Sequence, residues 1–170
     1  MNIAFIGNFS KKKGSKIFKD LVLELKKEHK WYIFGYIGDN DSYTKIRKYI
    51  KYYTSYNYGQ LPFLLKKHKI DICLIFSIWP ETYSKTFFEI LDTDTPLIAF
   101  KVIGFPAHIF AEYPLFVDEN INSIIEAIET VKNKENNIKK MILNFNKKNK
   151  KEFQAKKELK NKIIDKLLLR

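Results

Sequence analysis

Cysteine is nearly absent from this sequence of 170 residues, since Cys73 is the only one. A single cysteine forms no disulfide within its chain, and Cys73 lies in an apolar run, which favours core packing and a reducing, cytoplasmic location. Histidine and cysteine do not cluster at the spacings of zinc ligands, which argues against a structural zinc site. No apolar run reaches eighteen residues, so no membrane-spanning segment is predicted.

Glycine and arginine are also scarce. The six glycines include no G-x-G-x-x-G pattern, which argues against an NAD-dependent enzyme. The only arginines are Arg47 and Arg170, whereas proteins that read base sequence favour the arginine fork. Residues 1–130 hold 17 basic and 15 acidic residues, and residues 131–170 hold 14 basic and 4 acidic ones. The net charge of +12 therefore belongs mainly to the C-terminal segment.

The apolar residues, 45% of the chain, are enough for a packed core and follow two alternating patterns. Strands are predicted at NIAFIG, WYIFGYIG, YYTSY, DICLIF, PLIAFKV and PLFV. Helices are predicted at KIFKDLVLELKKEHK, around 42–49, at GQLPFLLKKHK, at SKTFFEILDT with Ser84 as its cap, and at NINSIIEAIETVKN.

This alternation, with strands that are apolar throughout, predicts a parallel sheet with helices on both faces. The sequence thus predicts an α/β fold: a single Rossmann-like domain over residues 1–130, with a mostly parallel sheet. A lysine-rich helical extension follows over residues 131–170. In such folds ligands bind beyond the carboxyl ends of the strands, near the point where the strand order reverses.

Two loops at this edge carry residues suited to a phosphorylated ligand. In the first, Lys13 offers a positive charge and Gly14 allows close approach of the backbone to an anion at the start of a helix. The alternative is an ordinary solvated lysine loop.

The second loop, SIWPETYS, places Glu81 behind a buried strand, with Glu89 eight residues later, about two helical turns along the next helix. Two carboxylates on one face, with a helix start between them, suit the hydroxyls and diphosphate of a nucleotide-sugar. The alternative is a pair of surface acids.

The segment WPETYSKTFFE resembles the E-x7-E motif of retaining glycosyltransferases with the GT-B fold, of the family 4 or group 1 type. In that family the motif lies in the C-terminal, donor-binding domain. The segments GNFSKKKGSKIF, IFGYIG, GQLPFLLKKHKIDICLIFSIWPETYS and PLIAFKVIGFPAHIF resemble further parts of the same domain. The resemblance extends over about residues 2–128 in the family's order, and the WPETYS variant is similar to domains of bacterial cell-surface polysaccharide transferases.

The resemblance implies a role for each matching position. Glu81 would contact the transferred sugar, nearest to the chemistry, and Glu89 would bind the ribose hydroxyls. The other matching residues are expected to bind the diphosphate or flank the base: Lys13, Gly14, Tyr83, Ser84, Lys85 and Thr86 for the diphosphate, and Gly35 and Tyr56 for the base. Two positions depart from the family: Asn8 stands where an arginine is usual, and Ile103 precedes Gly104 where two small residues are usual.

The resemblance also implies partners. The donor substrate would be a nucleotide-diphosphate sugar, with no metal or other cofactor, and the reaction a hexosyl transfer to a glycan or lipid-linked acceptor. An acceptor-binding half would be needed from the same or a partner chain, without which this chain alone would turn over little.

Two alternatives stay open. One is a binding module without catalysis. The other is a basic surface binder, acting through residues 131–170 on nucleic acid or on the inner face of a membrane. Specific nucleic-acid binding is not expected. His29 and His68 are expected to be solvated, and His108 lies near the presumed cleft.

Overall fold

The computed structural model describes residues 1–54, 56–57, 59–79, 84–101, 113, 115–133, 136–145 and 147–148. Glu81, Tyr83, Ile103 and His108 lie outside these ranges. The described part contains a six-stranded sheet in which all neighbouring strands are parallel, in the order β3-β2-β1-β4-β5-β6. Its strands are β1 (Asn2–Ile6), β2 (Lys30–Phe34), β3 (Ile50–Tyr53), β4 (Ile72–Ile75), β5 (Leu97–Phe100) and β6 (Phe116–Val117).

Helices connect β1 to β2, β2 to β3, β3 to β4 and β4 to β5, as parallel pairing requires. The described helices are α1 (Ser15–Glu24), α2 (Asn40–Ile46), α3 (Leu61–Lys67), α4 (Lys85–Leu91) and α5 (Ile121–Asn133), with 3-10 turns at Lys11–Lys13 and Arg47–Tyr49 and further helical residues at 136–145. The predicted α/β Rossmann-like fold is confirmed. Helix α1 is shorter than predicted, and β3 begins at Ile50, since Ile50 pairs with Trp31 of β2. No helix within the described ranges combines the length and apolar character needed to cross a membrane.

The four central strands of the sheet are buried on both faces, which explains their unbroken apolar sequences. All four residues of β4 and of β5 are buried, and so are the last four of β1 and β2. On one face, the ring of Phe18 from α1 lies 5.1 Å from that of Phe5 and 5.7 Å from that of Trp31. Aromatic side chains of this size contribute much of the burial that holds a helix against a sheet.

The start of the C-terminal extension packs on this core. Helix α5 continues past residue 130, and Ile138, Ile142 and Phe145 are buried at helical spacing. The ring of Phe145 meets that of Tyr113 edge to face at 5.2 Å. This part of the extension therefore contributes to the fold, whereas residues 149–170 lie outside the described ranges. The predicted domain boundary at residue 130 stays a prediction.

His29 differs from the expectation that the histidines are solvated, whereas His68 is half-buried. His29 is buried beside Trp31, with the two rings 5.7 Å apart. His68 ends α3 and packs its ring 4.4 Å from that of Tyr53. The expectation of solvated histidines is therefore wrong for His29, because the chain enters β2 directly after it and carries its side chain into the interior.

The loops after β1 and β2 touch through their backbones at Gly7 and Gly35. Gly35 has a φ of 144°, and a Cβ there would lie 2.0 Å from the Gly7 carbonyl oxygen. No other residue type fits without moving one of the two loops.

We expect Gly35→Ala to lower the free energy of unfolding by about 2 kcal/mol or more, because both the clash and the backbone strain oppose the native loop. Urea denaturation followed by circular dichroism measures the change. The matched control is Gly38→Ala: the tightest contact of a Cβ there is with the end of the Asn8 side chain, at 3.2 Å, and its other two neighbours lie at 3.6 Å. This substitution should change stability by less than about 1 kcal/mol. Equal effects of the two substitutions would contradict the steric explanation.

Candidate functional site

The strand order reverses between β1 and β4, and the loops that follow these two strands are in direct contact. Gly14, at the end of the first loop, has a φ of 78°, and a Cβ there would lie 2.4 Å from the Phe76 carbonyl oxygen. Glycine at this position lets the start of α1 approach the end of β4. The sequence predicted close approach of the backbone at Gly14, and the structure shows this approach to Phe76 of the protein itself. Close approach of Gly14 to a ligand stays a prediction.

The lysine turn at Lys11–Lys13 rests on the segment that leads into the predicted motif. The Ile78 amide donates to the Lys12 carbonyl at 3.0 Å, and the Lys12 ammonium lies 4.6 Å from the centre of the Trp79 ring. Lys13 is the last residue of this turn. Three lysines therefore stand at the reversal point, beside the residues that precede Glu81.

Glu89 is a buried carboxylate that holds a loop. Its side chain is 7% exposed, and its Oε1 accepts hydrogen bonds from the amides of Gly59 at 2.7 Å and Leu61 at 3.3 Å. A buried charge needs such donors. Glu89 thereby ties α4 to the loop between β3 and α3, at the carboxyl edge of the sheet.

Tyr56 and Thr86 lie beside this carboxylate. Burial, together with the negative charge of Glu89, raises the pKa of Tyr56, while a hydrogen bond with the Thr86 side chain acts in the opposite direction. Tyr56 therefore stays a neutral phenol at physiological pH. Three predicted site residues, Tyr56, Thr86 and Glu89, are thus brought together by the fold.

The remaining predicted residues are placed as follows. Ser84 caps α4, as predicted, by accepting a hydrogen bond from the Phe87 amide at 3.4 Å. Lys85 is exposed on the first turn of that helix. Gly35 is buried against Gly7, so its presumed position near a base stays a prediction. Glu81 and Tyr83 lie outside the described residues.

Asp39 is a residue that the sequence analysis missed. Its carboxylate caps α2 by accepting from the Ser42 amide at 3.2 Å, and it also accepts a hydrogen bond from the Ser15 hydroxyl at the start of α1. Burial opposes ionisation, yet the bonds from Ser15 and Ser42 and the charge of Lys11 lower the pKa of Asp39 overall. The spacing of Asp39 and Ser42 is a recognisable cap signal, whereas the link to Ser15 is not readable from spacing.

Residues 2–152 match the sequence profile of the family described as "Glycosyl transferases group 1". The chain belongs to that family. The resemblance noted from the E-x7-E segment is therefore confirmed at the level of the family. No curated protein sequence matches this group 1 chain.

Solved structures share the fold. HepE from Anabaena, in complex with UDP and glucose, is 14% identical with a TM-score of 0.67, over 91% of this chain and 48% of its own. A TarM mutant from S. aureus, in complex with fondaparinux, alpha-GlcNAc-glycerol and UDP, is 14% identical with a TM-score of 0.74, over 95% of this chain and 34% of its own. The group 1 chain thus spans half or less of these two proteins.

A third similar structure matches this chain over almost its own full length. It is the catalytic domain of cholesterol-alpha-glucosyltransferase from Helicobacter pylori, 15% identical with a TM-score of 0.62. The match covers 87% of the group 1 chain and 97% of that domain. At this level of identity, all three structures establish the fold.

We expect Asp39→Asn to lower the free energy of unfolding at pH 7 by about 1 kcal/mol, because asparagine keeps the cap but loses the charge that Ser15 and Ser42 stabilise. The pKa of Asp39 is lowered by folding, so its contribution is complete above about pH 4 and is lost as pH falls through the lowered value. Urea titrations between pH 7 and pH 3 should show the deficit of the variant shrinking with acid. The exposed neighbour Asp41 gives the control, Asp41→Asn, and a deficit that persists in acid would refute the assignment.

We expect Glu89→Ala to release the loop before α3 and to destabilise the protein by about 2–3 kcal/mol, because two buried amides lose a charged acceptor. Glu89→Gln keeps one oxygen that can accept both bonds and should cost less. Amide hydrogen exchange at Gly59 and Leu61 reports the loop directly, and we expect it to accelerate by about tenfold or more in the alanine variant. Unchanged exchange at both amides would show that Glu89 does not hold the loop.

Proposed function

We propose that this chain is the donor-binding half of a retaining glycosyltransferase, which transfers a hexose from a nucleotide-sugar to a glycan or lipid-linked acceptor. Cell-surface polysaccharide synthesis, in the cytoplasm or at the inner face of the membrane, is the setting that the WPETYS segment suggests. The donor would occupy the carboxyl edge of the sheet at the point where the strand order reverses, since ligands bind there in this fold class.

The observation that carries the proposal is the packing of the lysine turn on the end of β4. Gly14 against Phe76, and Lys12 against Ile78 and Trp79, bring positive charge and the start of a ten-residue helix to one place. A diphosphate is the donor group that matches such a place, because both the lysines and the helix start favour anions. HepE and TarM, which share the fold, were each solved with UDP.

Transfer breaks the bond between the anomeric carbon and the diphosphate oxygen, so negative charge grows on the leaving group. In the proposed site, Lys13 and the backbone amides at the start of α1 would stabilise that charge. Glu89 would bind the ribose through its second oxygen while Oε1 holds the loop at Gly59 and Leu61. Glu81 would position the sugar, and Tyr83, Ser84, Lys85 and Thr86 would lie along the diphosphate.

An acceptor half fits the exposed side of this edge. Tyr36, Ile78 and Trp79 are large apolar residues beside the site, and Trp79 is 57% exposed. Tyr36 follows β2, and Ile78 and Trp79 follow β4, so all three lie at the carboxyl edge, where an exposed apolar surface would suit contact with a partner. Together with a length of half or less of HepE and TarM, they support the proposal that an acceptor half acts with residues 1–170, in the same or a partner chain.

A non-catalytic nucleotide-sugar-binding module is the second candidate. The observation in its favour is Asn8, an exposed and uncharged residue where the family usually has an arginine. Sugar transfer by this chain, assayed together with an acceptor half, distinguishes an enzyme from a module.

We expect UDP or GDP to raise the melting temperature of the chain, because binding to the native state alone stabilises it. Lys13→Ala should weaken the affinity, measured by isothermal titration calorimetry, by about tenfold through loss of one charge-assisted phosphate contact. Lys16→Ala is the matched control: Lys16 is exposed two residues inside α1 and should leave affinity within about twofold. An affinity that is unchanged in Lys13→Ala would reject the proposed donor site, and so would a melting temperature that no nucleoside diphosphate raises.

A further inference from the structure

A cluster of metal-ligating side chains lies at the opposite end of the sheet from the lysine turn. Glu28 and His29 immediately precede β2, and Glu129 lies on α5. One carboxylate oxygen of each glutamate and one ring nitrogen of His29 all lie within 4.8 Å of one another. Because β2 starts at Lys30, this cluster belongs to the amino edge of the strands and is separate from the donor site.

His29 is the unusual member of the cluster. It is 8% exposed, and neither ring nitrogen has a hydrogen-bond partner within the described ranges. A buried imidazole without partners is costly, and coordination of an ion would satisfy it. The sequence pattern around His29 predicts a solvated helix face, so it gives no sign of this buried imidazole.

Charges of both signs surround the imidazole. Burial lowers the pKa of His29; the amino group of Met1 and Lys132 also lower it, whereas Glu28 and Glu129 raise it. Coordination uses the neutral form of the imidazole, whose lone pair binds the metal.

We infer that Glu28, His29 and Glu129 bind one divalent metal ion of the zinc class. One imidazole and two carboxylates are ligands that zinc accepts, with water completing four-coordination. Ligand atoms about 2 Å from a tetrahedral ion lie roughly 3.3 Å apart, and the three atoms here lie within 4.8 Å of one another, so any separation above about 3.3 Å has to close on binding. Glu28 is exposed and can move inward to do so.

Lys132 would compete with the ion for Glu129. The Lys132 ammonium lies 3.1 and 3.3 Å from the two oxygens of Glu129 and has to give up part of this ion pair. Both side chains of the pair are partly exposed, so the pair holds weakly. A bound ion would join the segment before β2 to α5 across about 100 residues of chain, and a crosslink of this span stabilises the fold by restricting the unfolded chain.

The test is calorimetric titration of zinc chloride into the metal-free full chain, with melting temperature as a second readout. We expect one equivalent to bind and to raise the melting temperature. Glu129→Gln and Glu28→Gln should each weaken binding by about tenfold or more, His29→Gln should abolish it, and Lys132→Gln should tighten it. Magnesium chloride should bind far more weakly, because that ion disfavours imidazole.

Glu24→Gln is the matched control, since Glu24 is an exposed acid at the end of α1 and should leave zinc affinity unchanged. If His29→Gln fails to fold, zinc affinity is measured instead in the double variant Glu28→Gln with Glu129→Gln, which changes only side chains that are exposed or partly exposed. Absence of zinc binding, zinc affinity unchanged in the double variant, or magnesium binding as tightly as zinc would each overturn the assignment.

Discussion

The close approach of Gly14 to Phe76 is the contact on which the arrangement of this edge depends. A parallel sheet whose order reverses between β1 and β4 sends its two following connections to opposite faces, which leaves a crevice between them. The distance between the loops after β1 and β4 determines whether the lysine turn lies beside that crevice. A glycine at residue 14 removes the side chain that would keep them apart, and the lysine turn then settles on Ile78 and Trp79.

Glu89 has a structural role that is separate from the binding role proposed for it. Its Oε1 is occupied by two loop amides, so the residue has a structural reason to be acidic even without a ligand. In the proposed donor site the same carboxylate orients the loop and presents its other oxygen to the ribose. The neutral phenol of Tyr56 beside it adds a hydrogen-bonding group without adding charge, which suits a site that already contains a buried carboxylate.

The two ends of the sheet differ in character. The carboxyl edge gathers lysines, exposed aromatic residues and the acid-anchored loop, which together suit a large phosphorylated ligand and a partner surface. The amino edge gathers a buried histidine between two glutamates, which suits a small cation. Because the strands separate these clusters, ligands at the two ends would affect each other only through the stability of the whole domain.

Local patterns determined much of this protein by themselves. Unbroken apolar segments alternating with amphipathic ones specified the parallel α/β fold, and the E-x7-E segment pointed to the glycosyltransferase family. Ser84 was readable as a helix cap because a cap and its amide are three residues apart. Only the tertiary structure joined Glu89 to Gly59 and Leu61, Ser15 to Asp39, and His29 to Glu129, because these pairs are 24 to 100 residues apart. Periodicity predicts which face of a helix or strand is apolar. The partners of a polar side chain depend instead on the order of the strands and the packing of the loops, and contacts over the whole chain determine both.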